Sequence, residues 1–204
     1  VIFKSGSAPG IVKLATHYIF TIGMVALAAR PILPPAVRLS TAIWLGILVN
    51  WLIDHGGHEV RGGIPRRTAV THSVPGAVGV GVALGILPVA AVLVLVPSLA
   101  SWLGTQPTAG PLFVLLAGLL GGLAGLSHLL LDALTEGGIY YHGRRWALAH
   151  WRYDNAVANA LFMFLGLVMT GAALVPMMSS AVNVVPVHGY GHVRVEGLAP
   201  PGPA

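Results

Sequence analysis

A chain of 204 residues, 55% hydrophobic and only 8% charged, lacks the roughly 25% of charged residues with which a soluble domain covers its surface. Its mean hydropathy of +0.81 puts it among integral membrane proteins, and its length suits one compact helical bundle. A net charge of +5 first suggests nucleic acid. The basic residues lie mostly in short loops, however, as membrane topology requires, so membrane lipids are the expected partners and nucleic acid is not.

A hydrocarbon core takes about 20 apolar residues in helix, and five segments meet that length. The first covers residues 11–29 and stops at Arg30-Pro31. The second covers residues 36–54. The third covers residues 70–96, long enough to tilt and expected to bend at Pro88. The fourth and fifth cover residues 111–135 and 155–178. The expected fold is all-α: a single transmembrane domain over residues 1–180, then an extramembrane tail over 181–204 that is partly disordered. Between the spans lie a turn at 31–35, a polar loop at 55–69, a Ser/Gly/Pro/Thr connection at 97–110 and an aromatic, basic loop at 136–152.

With five spans, Lys4, Lys13, Arg61, Arg66, Arg67, Arg144, Arg145 and Arg152 fall on one side, and Arg30, Arg38 and Arg194 on the other. The positive-inside rule makes the first side cytoplasmic. The N-terminus is then expected inside the cell membrane and the C-terminus outside.

The same connectivity gathers the polar groups of the spans at the cytoplasmic end. His17 lies early in the first span, Asn50 and Asp54 end the second, and His72 opens the third. His128 and Asp132 close the fourth, while Asp154, Asn155 and Asn159 open the fifth. At about 100° per residue, Gly118, Gly121, Gly122, Gly125, His128 and Asp132 share one stripe. Small residues mark close helix contact in membranes, so this stripe should face the bundle interior. Carboxylates and neutral imidazoles gathered at one depth form the ligand set of a divalent metal ion: zinc, manganese or magnesium. The candidate ligands are His17, Asp54, His72, His128 and Asp132. Arg66 and Arg67, just before a helix N-terminus, are candidate anion-binding residues. His55, His58, His142, His150, His188 and His192 are weaker as ligands. Tyr140, Tyr141, Trp146, Trp151 and Tyr153 read as an interfacial aromatic belt.

Three segments carry a family resemblance: Asn-Trp-Leu-Ile-Asp-His at 50–55, Arg-Arg-Thr-Ala-Val-Thr-His-Ser-Val at 66–74, and Ser-His-Leu-Leu-Leu-Asp-Ala-Leu-Thr-Glu-Gly at 127–137. Together they resemble the YdjM-like predicted membrane-bound metal-dependent hydrolases. Two departures stand out. Asn50 sits where that family often has a carboxylate, and the spacing from Arg67 to Thr71-His72-Ser73 is one residue longer. The resemblance implies metal-dependent hydrolysis; the charge distribution places it at the cytoplasmic membrane face, and Arg66 and Arg67 point to a phosphoester or a lipid-linked substrate. Asp54 or Asp154 would then be the catalytic base for a metal-activated water. Two rivals stay open: a non-catalytic membrane subunit stapled by a polar or metal cluster, and a small cation or proton carrier.

Overall fold

A computed structural model describes residues 10–61, 64–105, 108–152 and 154–182. Six helices run through it: α1 (Gly10–Ala28), α2 (Pro35–Gly56), α3 (Val74–Leu95), α4 (Pro97–Gly104), α5 (Ala109–Ala133) and α6 (Ala156–Val182). Four helices are long and apolar enough to cross a membrane, over Pro35–Gly56, Val74–Leu95, Gly110–Ala133 and Ala156–Val175. The all-α bundle is as expected. The first span differs, because its described apolar stretch, Leu14–Ala28, is shorter than a full crossing.

Other expectations shift at the loops. Residues 70–73 form a turn, and α3 starts only at Val74. Ser73 stops the helix from extending backwards: its extended backbone and its Oγ, which accepts the Gly76 N–H at 3.3 Å, make it the N-cap. Pro75 adds a residue suited to a first turn. The helix then continues through Pro88 to Leu95. Residues 97–104, expected as an irregular connection, fold into α4.

Two loops hold antiparallel hairpins. Strand β1 (His58–Arg61) pairs with β2 (Ile64–Arg67), setting His58 opposite Arg67. Strand β3 (Ile139–Tyr141) pairs with β4 (Arg144–Trp146). The two residues between β3 and β4, His142 and Gly143, have φ of 46° and 73°. Positive φ at both central positions is what a tight two-residue hairpin needs to follow strand twist. Residues 183–204, most of the expected tail, lie outside the described residues.

Helix packing rests on backbone approach. Ala77, Gly81 and Gly85 on α3 meet Ala117, Gly121 and Gly125 on α5, and a Cβ on Gly81 would overlap the Gly121 carbonyl oxygen. The interior stripe of α5 is therefore real, with Gly118 and Gly122 at its edge against Val82 and Ile86. A second seam joins Gly23 of α1 to Gly166 of α6. Without a hydrophobic drive between helices in lipid, such close contact supplies the attraction. The outward surfaces of α3 and α6 are apolar, with Leu87, Val94, Val157 and Leu167 exposed. The middle of the bundle holds an apolar core of Val25, Ala42, Leu45, Val49 and Ala124. Beyond it, buried Arg38 ties α2 to α6 and to the first turn, donating to the Ala173, Arg30 and Leu33 carbonyls.

Candidate metal centre

The starts of α1, α3 and α6 and the ends of α2 and α5 meet at one pole, and there the histidines and aspartates collect. Asp132 is fully buried, as are His72 and His128, and His17 is 2% exposed. Asp132 has neighbours on every side. Its Oδ1 stands 3.6 Å from His17 Nε2, and its Oδ2 stands 3.2 Å from His128 Nε2 and 3.6 Å from His72 Nε2. Asp54 approaches from α2, with Oδ1 3.9 Å from His72 Nε2 and 3.8 Å from His128 Nε2. All five residues expected as metal ligands therefore come together.

The outer partners of three imidazoles fix their tautomers. Asn50 donates its amide N–H to the Gly46 carbonyl at 2.5 Å, which leaves its Oδ1 to accept from His128 Nδ1 at 2.8 Å. The Thr71 hydroxyl donates to the Ile53 carbonyl, so its oxygen accepts from His72 Nδ1 at 3.1 Å. His58 Nδ1 donates to the Asp54 carbonyl at 2.5 Å. In its neutral form each ring thus carries its proton on Nδ1 and bares a lone pair on Nε2. An outer hydrogen bond that orients a ring and leaves the inner nitrogen free is the usual support of a metal-bound histidine.

The inner nitrogens of His72 and His128 are buried and make no hydrogen bond among the described residues. Burial also pushes the His72 imidazole below its usual pKa, partly offset by the Asp54 and Asp132 carboxylates. Burial thus favours the neutral ring, the state that ligates metal. Lone pairs facing carboxylate oxygens across these gaps repel unless a cation lies between them. Two ligand atoms on one tetrahedral ion stand about 3.3 Å apart, close to the separations here. Among the described residues, two groups have ligand atoms near enough to hold an ion: His17, His128 and Asp132, and Asp54, His58 and His72.

Other candidates fall elsewhere. Asp154 is exposed and pairs with Arg152 at 2.9 Å. Arg67 turns inward: it binds Asp132 at 2.5 Å and donates to the Gly138 carbonyl at 2.8 Å. Its guanidinium is thus committed to a ligand carboxylate, and this corrects its expected place in an open anion site. Arg66 lies on β2 opposite Glu59, and its side chain is outside the described part. His55 stacks on Trp51 with centroids 4.9 Å apart. His58 is the residue that sequence reasoning passed over, since a single histidine in a glycine-rich loop has no periodicity to mark it.

The second hairpin braces the centre from outside the bundle. Tyr140 donates its N–H to the His72 carbonyl at 2.8 Å and its hydroxyl to the Arg67 carbonyl at 3.2 Å. On the opposite flank, the Thr16 hydroxyl donates to Asn159 at 3.1 Å and locks α1 to α6 beside His17.

Comparison with known proteins adds a family and little else. No curated protein and no solved structure matches the chain. A family model described as a protein of unknown function, DUF1286, matches residues 12–131. That stretch takes in His17, Asp54, His58, His72 and His128 and stops one residue short of Asp132. It spans more than half of the sequence, and the chain belongs to the DUF1286 family.

Proposed function

We propose that this protein is a membrane-embedded, metal-dependent hydrolase whose site opens at the cytoplasmic face and whose substrate is a phosphoester or a lipid-linked ester. The observation that carries the proposal is the set of three Nε2 lone pairs, each fixed by an outer hydrogen bond and two of them buried against Asp54 and Asp132. A divalent ion bound there supplies Lewis acidity, easing deprotonation of a water and polarising a phosphoryl or carbonyl oxygen. Zinc is the favoured ion for a set of imidazoles and carboxylates, with manganese next.

Asp54, 19% exposed, is the carboxylate nearer to solvent and would be the more accessible of the two carboxylate ligands. Asp132, fully buried and held by Arg67, is the fixed ligand. Exposed Tyr141, Trp146 and Trp151 at the same pole suit the headgroup level of a bilayer. A lipid-borne substrate would reach the site there without leaving the membrane. The motif resemblance to YdjM-like hydrolases points the same way.

A purely structural staple would close its ion with four protein ligands. Here each triad supplies three and Asp54 and His58 meet solvent, which favours catalysis. A carrier would need polar groups through the membrane's thickness, whereas the cluster in the middle of this bundle is apolar.

The test is metal content and ester hydrolysis by the detergent-purified protein, alongside His128→Ala. The proposal expects bound zinc or manganese and a phosphodiesterase or esterase activity that a chelator abolishes. His128→Ala should lower metal content and reduce activity at least 100-fold. Activity that survives both chelation and His128→Ala would refute it.

A further inference from the structure

The six ligand residues divide into two triads, each with two histidines and one aspartate: His17, His128 and Asp132 on one side, Asp54, His58 and His72 on the other. Each carboxylate also reaches into the other triad. Asp132 Oδ2 lies 3.2 Å from His128 of its own triad and 3.6 Å from His72 of its neighbour's. Asp54 Oδ1 lies 3.9 Å from His72 and 3.8 Å from His128. The geometry points to a dinuclear centre: two divalent cations side by side, bridged by Asp54 and Asp132, with His58 as an end-on ligand of the outer ion.

Carboxylates that each face imidazoles of both triads have the chemistry of bridging ligands. Three protein donors for each ion leave positions for water and substrate. Paired ions about 3.5–4 Å apart clamp the attacking and leaving oxygens of a displacement at phosphorus. Two divalent ions beside two carboxylates and the Arg67 guanidinium leave an excess of positive charge, which an anionic phosphoester neutralises. The inference rests on the metal-dependent reading and narrows its substrate class to phosphoesters.

The triads also differ in access. The inner one is buried, with His17 at 2% exposure and His128 and Asp132 at none. The outer one includes exposed His58, on β1, which bonds to the Asp54 carbonyl and packs edge-on against the His72 ring. The outer ion should therefore bind more weakly and exchange faster.

Titration of the full, detergent-purified, metal-stripped chain with manganese tests this, followed by equilibrium metal analysis and electron paramagnetic resonance. Two ions per chain are expected, the second bringing an exchange-coupled spectrum. His58→Ala, a change at an exposed position, should keep the helical circular dichroism, bind one ion and give an uncoupled spectrum. One ion per chain at saturation would overturn the inference, and so would two uncoupled ions or a His58→Ala variant that still binds a coupled pair. Chelator-sensitive hydrolysis by a one-ion protein would sink the paired centre while leaving the hydrolase intact.

Discussion

Asn50 shows how one side chain can decide the chemistry of another. Its amide is oriented by the Gly46 carbonyl, so only its oxygen faces His128. An aspartate would also accept that proton, but it would add a charge beside Asp132 in a buried site, where unneutralised charge is costly. Loss of such an outer partner typically weakens metal binding 10- to 100-fold. Asn50→Ala should do so here with little change in fold, and Asn50→Asp should recover part of the loss. Competition against a chelator of known affinity measures both. At this scale the sequence shows residue types more clearly than their partners. His128 and Asp132, four apart on one face, can be read directly. Arg67 cannot, because a cation before a helix start looks the same whether it awaits an anion or is pinned to a carboxylate 65 residues away.

The α3–α5 seam carries the centre's geometry at the level of elements. Helix α5 bears His128 and Asp132, and α3 follows directly on His72, so their separation sets the spacing of these ligands. Gly79 and Gly81 on α3 make a matched pair for testing this: a Cβ at Gly79 meets open space, and one at Gly81 meets the α5 backbone. Gly79→Ala should leave stability unchanged or raise it by about 0.5–1 kcal/mol. Gly81→Ala should cost about 1–3 kcal/mol, as overpacking does, and should lower metal affinity as well. Thermal unfolding in detergent with and without metal separates the two outcomes. The seam was legible because glycines repeat at helical spacing on α5. The hairpins were not, since β3 owes its position to His72 and Arg67, partners far away in sequence. The start of α3 was set too early for a related reason: hydropathy runs on through Val70, whereas the Ser73 cap is a matter of hydrogen bonding.

On the scale of the whole molecule, four segments must come together to complete the cluster: α1, α2 with β1, the β2–α3 turn, and α5. Without a cation, lone pairs and carboxylates repel one another at the centre of that junction. An ion that binds the folded state and not the unfolded chain stabilises it in proportion to the logarithm of its concentration over Kd, about 2.7 kcal/mol at 100 times Kd. Removing metal should therefore lower the melting temperature of the whole bundle in one cooperative step. Restoring zinc or manganese should reverse the loss, and calcium, which takes six to eight oxygen ligands, should not. Differential scanning fluorimetry after chelation checks this. Hydropathy and charge revealed the membrane class and the polar pole, and over the described residues the first helix keeps an apolar stretch of Leu14–Ala28.

The order of the ligands along the chain has a consequence for biogenesis. His17 is synthesised first and Asp132 last, with three helices made between them, while α6 comes afterwards and brings no ligand. A ribosome-bound chain that has not yet threaded α5 cannot form the buried triad, so a metal ion held there would be captured only once α5 is in place. Nascent chains arrested before His128 emerges should leave the buried triad unloaded however much metal surrounds them.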